Sequence, residues 1–244
     1  MSFFEKDLNL KFPYGEHEDC RALTTLTFTS IPKDGSLGKK HDYKKNGVVW
    51  RPGDKSDSLF FVQHGRVAIN SVDREGRELI IRTVLSGEPF GEMCFCDGPT
   101  KTRQTTALAL AESSIVEIKI AHFIKFMQSS DEVLGQVTFT FCIRLAEAER
   151  RVEILALHGA EERLGNALLY LIRRRGIIVN SEKPELIKLM VTHDELAGFT
   201  ALSRQRVTIT MNNFRARGLV AYDRNQPLVV NAAELSVFLG TNSS

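Results

Sequence analysis

The stretch from residue 192 to 224, THDELAGFTALSRQRVTITMNNFRARGLVAYDR, decides the architecture of the C-terminal part of the chain. Thr192 and Glu195 have the spacing of a capping box, in which each side chain bonds the backbone amide of the other residue, so we expect a helix to begin at Thr192. Ser203 is placed to cap a second helix, and Gly218 is placed to stop it. Two short helices joined by a tight turn form a helix-turn-helix.

The second helix should have one apolar face and one positive face. Val207, Met211 and Phe214 recur at helical spacing and are expected to face the core. From Ser203 to Arg217 there are four arginines and no acidic residue. Arginine and glutamine pair with guanine and adenine edges, and helix N-terminal amides bind phosphate. This pattern predicts a helix that contacts DNA; the alternative is a basic helix face that is only solvated.

Two short β-prone runs follow the second helix. Residues 219–222 and 228–230 are separated by a polar turn over residues 223–227. A strand pair beside a helix-turn-helix predicts a wing.

Between Tyr43 and about residue 120, short β-prone runs are punctuated by glycine. The runs are residues 48–50, 59–62, 67–69, 79–81 and 115–118. The glycines, which recur at steps of 12, 11 and 11 residues, are Gly53, Gly65, Gly76 and Gly87. This spacing suits short antiparallel strands folded into a double-sheet roll or barrel.

A long helix is expected from Ser129, which has capping-box spacing with Glu132. Apolar residues then recur at steps of three and four, at Leu134, Val137, Phe141, Leu145, Ala148, Val152 and Leu155. The intervening residues are largely charged, as in a helix that pairs with a second copy of itself. Packing of the same seam against the chain's own roll is the alternative.

These segments resemble the CRP/FNR (cyclic-AMP receptor protein/FNR) family of bacterial transcription regulators from Tyr43 onward. Ser203-Arg204 with Val207-Thr208 matches the start of the family's recognition helix, and the run from Arg51 to Asp54 matches its roll. Gln205 and Arg206 replace the Glu and Thr of the best-known members, and Ile209 stands where an arginine often contacts bases. The resemblance therefore implies DNA binding without fixing the operator sequence.

The fold implied is α+β, with an N-terminal cyclic-nucleotide-binding-type β-roll (a double-sheet jelly roll), a long central dimerisation helix and a C-terminal winged helix-turn-helix. The expected segments are an N-terminal segment (1–40), the sensor roll (41–128), the central helix with a hinge at Leu157-His158-Gly159 (129–158), and the DNA-binding domain (159–244). The implied partners are double-stranded DNA, a second copy of the chain and RNA polymerase. Arg204, Gln205 and Arg206 would read or position DNA, and Ser203, Thr192 and His193 would approach phosphates.

The resemblance also places an effector site in the roll, at Gly91, Glu92, Met93, Arg103 and Gln104. In that family pattern the carboxylate accepts from a ribose hydroxyl and the arginine pairs with a cyclic phosphate. Gln104 departs from the usual Ser or Thr, and Ala148 and Glu149 stand where the central helix would supply hydroxyls. Cyclic AMP, another small effector or none remain open, as does a structural Glu92–Arg103 ion pair.

The remaining features of the sequence narrow the functional class. The net charge is only +2, so nucleic-acid binding must come from local clustering. The chain has no apolar stretch of the length of a signal peptide or membrane span, which predicts a cytoplasmic protein without a membrane partner. No motif of nucleophile, base and orienting group appears, so we expect neither an enzyme nor catalytic residues. A regulatory module whose winged helix docks a protein partner is the alternative function.

The four cysteines predict neither a metal site nor a disulfide. Cys20, Cys94, Cys96 and Cys142 lack the paired spacing of zinc-binding motifs. Cys94 and Cys96 on a strand would point to opposite faces, which predicts one buried, inert thiol, although a redox role stays open. Residues 173–175 are a run of arginines that could touch phosphate or favour the C-terminal helix dipole.

Overall fold

A computed structural model describes residues 24–72, 78–96, 101–180, 183–223 and 227–240. These residues form two compact units, the first up to Ala146 and the second from Glu147 onward. Cys20 and Gly76, and the middle of the polar turn after Tyr222, lie outside the described residues.

The first unit contains the predicted β-roll. Its strands are β1 Lys39–Tyr43, β2 Val48–Trp50, β3 Ser58–His64, β4 Arg66–Val72, β5 Glu78–Leu85, β6 Pro89–Phe90, β7 Thr106–Ala109 and β8 Ser113–Lys119. They form two four-stranded sheets among the described residues, with orders β1-β8-β3-β6 and β2-β7-β4-β5. The pairings are antiparallel. The predicted double-sheet jelly roll is confirmed.

The turn glycines have the backbone conformation that the prediction needs. Gly53, Gly65 and Gly87 have φ of 93°, 93° and 91°, the left-handed region in which a side chain would be strained. At Gly65 a Cβ would also come within 2.5 Å of the Glu112 carbonyl oxygen. These turns therefore require glycine.

Strand β3 is buried on both faces, which explains its continuous apolar run. Phe60 and Val62 face the core between the sheets, where they meet Trp50, Val67, Val84, Phe90, Ala107 and Ile115. Leu59 and Phe61 face the opposite side and pack against Leu26, Ile31, Ile118, Phe123, Val133 and Val137. Residues 26–31, from the N-terminal segment, thus complete the sensor core.

Two helices follow the roll, α1 at Ile120–Gln128 and α2 at Asp131–Ala156. The prediction that Ser129 caps the long helix is wrong by one residue. Ser129 ends α1, where its hydroxyl donates to the Phe126 carbonyl oxygen at 2.7 Å. The backbone amide of Val133 donates instead to the Ser130 hydroxyl at 3.4 Å. Ser129 and Ser130 each carry a hydroxyl that could cap the helix. Because Ser129 ends α1, Ser130 is the serine that accepts from the first turn of α2.

The second unit is the winged helix-turn-helix. Beyond the end of α2 it contains α3 Ala160–Arg175, β9 Ile177–Asn180, β10 Lys183–Leu189, α4 His193–Thr200, α5 Arg204–Ala216, β11 Val220–Ala221, β12 Leu228–Asn231 and α6 Ala232–Phe238. The sheet order is β11-β12-β10-β9, so the predicted wing strands β11 and β12 extend a sheet begun by two strands that the sequence pattern did not predict. No helix in the described ranges has the length and apolarity needed to cross a bilayer.

Candidate DNA-reading and effector sites

The helix-turn-helix begins with the predicted capping box. The Glu195 amide donates to the Thr192 hydroxyl at 3.1 Å, and the Thr192 amide donates to the Glu195 carboxylate at 2.9 Å. At the second helix the Arg206 amide donates to the Ser203 hydroxyl at 3.2 Å. Between the helices Ala201 has φ of 52°, the left-handed conformation that makes the turn tight. Both predicted helix starts are therefore present.

Helix α5 has the predicted division into faces. Val207, Met211 and Phe214 are buried in the core of the unit. Ser203, Arg204, Gln205 and Arg206 are exposed together at its first turn. Arg204 Nε lies 3.3 Å from Asp194 Oδ1, but both side chains are largely exposed, so this ion pair holds the arginine only weakly. The basic first turn is thus accessible to a polyanion.

Ile209 is a further surface residue of α5. Its side chain is 46% exposed, although it is large and apolar. An apolar side chain on a DNA-reading helix can contact a thymine methyl group. In the sequence, Ile209 stood out only as a departure from the family pattern.

His193 connects the first helix of the motif to the second. Its Nδ1 lies 3.1 Å from the Thr208 hydroxyl, and its ring meets the Tyr222 ring edge-on at 5.7 Å. Burial lowers the pKa of His193, and the nearby Arg204 lowers it further. A histidine in this position is held neutral more readily than one in water.

Arginines from outside the motif hold the C-terminal end of α4. Arg151 on α2 donates to the carbonyl oxygens of Phe199 and Gly198 at 3.2 and 3.0 Å, and its guanidinium lies 4.9 Å from the Phe199 ring centroid. Arg163 on α3 donates to the Thr200 carbonyl oxygen at 3.3 Å. The last carbonyls of a helix have no partner within the helix, and these arginines supply one. The sequence contains no local signal for these contacts.

Most of the predicted apolar seam on α2 is exposed. Leu134, Phe141, Leu145 and Val152 are 46%, 40%, 62% and 66% exposed, and Ala148 is exposed too. Leu155 is half-buried. Val137 differs, because it belongs to the core of the sensor. The seam available to a second chain therefore lacks Val137.

The predicted effector site, or cassette, comprises Gly91, Glu92, Met93, Arg103 and Gln104. It begins at Gly91, whose φ of 83° only glycine adopts readily. A 3-10 helix over Glu92–Phe95 follows. Arg103 is 4% exposed and donates to the carbonyl oxygens of Gly91 and Ser58 at 2.9 and 2.5 Å. Its guanidinium also lies 4.4 Å from the Trp50 ring centroid. Gly91 and Arg103 are thus brought together, as expected.

Glu92 has a different partner from the ones that the sequence suggested. Arg82 on β5 donates to the Glu92 carboxylate and to the Pro89 carbonyl oxygen, both at 2.5 Å. The expected alternative of a Glu92–Arg103 ion pair is therefore wrong. Arg144 on α2 lies 3.6 Å from Glu88, beside this pair. Arg82 is a site residue that the sequence did not predict, since nothing in its local pattern marks it.

The other predicted cassette residues and the two cysteines lie at the surface. Met93 is 64% exposed. The Gln104 amide donates to the Thr102 carbonyl oxygen of its own loop at 3.1 Å. Cys94 is half-buried within the 3-10 helix and Cys96 is exposed at its end, so the expectation of alternating faces on a strand is wrong. The 3-10 turn replaces the strand and leaves neither thiol fully buried.

Comparison with known families accounts for both units. A model of the cyclic nucleotide-binding domain matches residues 40–130, and a model of the Crp-like helix-turn-helix domain matches residues 162–237. The chain belongs to the CRP/FNR family of transcription regulators. It is a DNA-binding regulator whose sensor is a roll of the cyclic-nucleotide-binding type.

Relatives of this CRP/FNR regulator cover most of its length. The cAMP-activated global transcriptional regulator Vfr of Pseudomonas aeruginosa is 28% identical over 203 residues, which is 80% of this chain and 94% of Vfr. The structure of FixK2 from Bradyrhizobium japonicum has a TM-score of 0.68 at 18% identity, covering 82% of this chain and 96% of FixK2. The c-di-GMP responsive regulator CLP of Xanthomonas campestris has a TM-score of 0.64 at 24% identity, covering 80% and 94%. These two structures establish the similarity of fold.

The polar groups of the cassette of this CRP/FNR regulator have partners within the roll and keep further hydrogen-bonding capacity. One oxygen of the Glu92 carboxylate accepts from Arg82, and a carboxylate with two oxygens can accept a further hydrogen bond, such as one from a ribose hydroxyl. Each terminal nitrogen of Arg103 donates to a backbone carbonyl oxygen and carries a second N–H.

Proposed function

We propose that this CRP/FNR regulator is a homodimer that presents the α5 helices of two copies to successive major grooves of a roughly palindromic DNA site. The exposed seam supports the dimer, because large apolar side chains on one face of a helix are stabilised by burial against a partner. The remaining seam consists of Leu134, Phe141, Leu145, Ala148, Val152 and Leu155. Two-fold symmetry of the protein would be mirrored in the operator.

Within each copy, the first turn of α5 is the proposed reading surface. Arg204, Gln205 and Arg206 are assigned to base edges or to the register on the backbone. Ser203, Thr192 and His193 are assigned to phosphates, because they surround the N-terminal ends of α4 and α5. The exposure of the basic first turn beside two helix N-termini is the observation that carries this assignment.

The remaining parts of the proposal concern the cell and the signal. The protein would act in the cytoplasm and would contact RNA polymerase, as expected of a bacterial regulator of this family. A small molecule bound to the roll is supported by the family, in which Vfr is named cAMP-activated and CLP is described as c-di-GMP responsive. Such a ligand would act by shifting the population of DNA-binding states.

The test is DNA binding by Arg204→Ala at fixed salt. An operator is first selected from random duplex DNA with the wild-type protein. Loss of one base contact costs about 1–3 kcal/mol, so Arg204→Ala should bind the operator about 5-fold to 150-fold more weakly and discriminate less against random duplex. The control is Arg51→Ala, which removes an exposed arginine from the sensor roll.

Two outcomes would contradict the proposal. Wild-type affinity and selectivity in Arg204→Ala would show that the first turn does not read DNA. A wild-type protein without any salt-dependent affinity for duplex DNA would favour the alternative function, in which the winged helix docks a protein partner.

A further inference from the structure

Ile209 is a large apolar side chain on the exposed face of α5. It is 46% exposed, whereas the other large apolar side chains of this helix belong to the core of the unit. Ile209 lies four residues after Gln205 and three before Asn212, and both of these are exposed, so the three side chains share one face. This face continues from the first turn of α5, which the proposed function assigns to DNA.

Contacts with neighbouring elements hold α5 on both sides of Ile209. The Thr208 hydroxyl lies 3.1 Å from His193 Nδ1 at the start of α4, and the Tyr222 hydroxyl, just after β11, donates to Asn212 Oδ1 at 3.0 Å. Isoleucine is also branched at Cβ, so its side chain has one strongly preferred rotamer in a helix. A side chain that is already ordered loses little conformational entropy when a ligand covers it.

An apolar side chain discriminates between bases because it forms no hydrogen bonds. All four bases present hydrogen-bonding groups at the edge of the major groove, and thymine adds a C5-methyl group. Covering a polar edge with isoleucine would remove water without replacing its hydrogen bonds, which is unfavourable. Covering a methyl group removes apolar surface of both partners from water, which is favourable. Thymine is therefore the base that Ile209 fits.

We infer that Ile209 is a specificity-determining residue, which recognises the C5-methyl group of a thymine in each half-site of the operator. The inference rests on the proposed function, in which α5 enters the major groove, and it adds the kind of base that the middle of this helix selects. Ile209 lies about 6 Å along the helix axis beyond Gln205, so the thymine is expected in the same half-site as the bases that the first turn contacts.

The experiment replaces each thymine of the selected operator in turn by deoxyuridine, which lacks the C5-methyl group and keeps the hydrogen-bonding groups of thymine. The replacement is made at equivalent positions of both half-sites, and affinity is measured at fixed salt. Burial of one methyl group corresponds to about a 4-fold change in affinity. The wild type should therefore bind about 10-fold to 20-fold more weakly when one particular thymine is replaced in both half-sites.

Ile209→Ala tests whether this effect belongs to the isoleucine. Alanine has the higher helix propensity, so the variant should fold. It should bind the unmodified operator more weakly than the wild type, and deoxyuridine at the same thymine should cause no further loss. This loss of coupling is a result that a merely structural role would not produce. Val237→Ala is the matched control, because Val237 is 56% exposed on α6 of the same unit and should leave the deoxyuridine effect as in the wild type.

Two results would overturn the inference and leave the proposed function standing. One is salt-dependent binding of the selected operator by a wild type that deoxyuridine weakens at no thymine. The other is a deoxyuridine effect that persists unchanged in Ile209→Ala. A failure of the proposed function is recognised separately, because the wild type would then prefer no duplex sequence and Arg204→Ala would bind as the wild type does. That result would reject both.

Discussion

His193 is a single residue that connects the two helices of the helix-turn-helix. Its ring nitrogen contacts the Thr208 hydroxyl on α5, while the residue itself begins α4. Protonation would place a charge in a half-buried position close to the guanidinium of Arg204. We therefore expect the packing of the two helices to depend on the protonation state of His193.

We expect acid to destabilise the DNA-binding unit through His193. Because its pKa in the folded state lies below the ordinary value of about 6.5, the unfolded chain takes up the proton first. Its contribution to stability is present above about pH 6.5 and is lost as the pH falls through the folded-state pKa. The measurement is the unfolding midpoint at about pH 7.5 and about pH 5.5.

The comparison is with His193→Asn, whose amide can still contact Thr208 but does not titrate in this range. The wild type should lose more stability on acidification than this variant. Identical pH dependence in the two proteins would show that the histidine has no such role.

At the scale of elements, α4 is held by contacts from outside the helix-turn-helix. Arg151 and Arg163 bind carbonyl oxygens of residues 198–200, the last turn of the helix. Arg163 also donates to the Leu157 carbonyl oxygen at 2.7 Å, in the loop after α2. The orientation of α4 therefore depends on the end of the central helix and on α3. This part of the predicted hinge is tied to α3.

We expect Arg151→Met to destabilise the DNA-binding unit by about 1–3 kcal/mol. The methionine keeps an apolar side chain over Phe199 but leaves two carbonyl oxygens without their charged donor. Urea unfolding measures the change, and DNA affinity should fall with it because α4 positions α5. Arg150→Met is the matched control, since Arg150 forms an exposed ion pair with Glu153, which contributes little. Equal effects in the two variants would contradict a special role for Arg151.

At the scale of the whole molecule, the proposed dimer depends on the exposed apolar seam of α2. A single copy binds one half-site, whereas a dimer binds both and gains affinity from their linkage. Among the described residues, the exposed apolar side chains of α2 are the feature that supports dimerisation.

We expect Leu145→Glu to weaken the dimer about 10-fold or more and to lower the affinity for a full operator. Burial of a leucine contributes about 1.5–3 kcal/mol, and a charge in its place must be desolvated. Sedimentation velocity over a range of concentrations measures the association. Val72→Glu is the control, because Val72 is 53% exposed on the sensor roll, close to the 62% of Leu145. A wild type that sediments as a monomer would reject the seam.

Features whose physical cause lies within a few residues can be read directly from the amino-acid sequence. Thr192 and Glu195 form the capping box at the start of α4. The turns at Gly65 and Gly87 have positive φ angles, of 93° and 91°, that favour glycine. The short apolar runs of the roll, separated by glycine turns, and the apolar face of α5 can likewise be read from the sequence, because strands and turns favour particular residue types and a helix repeats every 3.6 residues. The order of roll, long helix and winged helix-turn-helix therefore follows from local patterns along the chain.

Strands β1, β6, β7, β9 and β10 were not among the predicted runs. Polar and charged residues interrupt the apolar pattern of β1 and β10, whereas β6, β7 and β9 have four residues or fewer, and pairing with neighbours defines all of them. Which charged side chains meet depends on how the elements pack together. Arg82 and Glu92 are ten residues apart, Arg103 and Ser58 are 45 apart, and Arg151 and Gly198 are 47 apart. No local spacing specifies such pairs, since the packing of the strands and helices brings them together. The sequence thus determined that this is a DNA-binding regulator with a sensor roll, while the fold decided which polar groups remain available to a ligand.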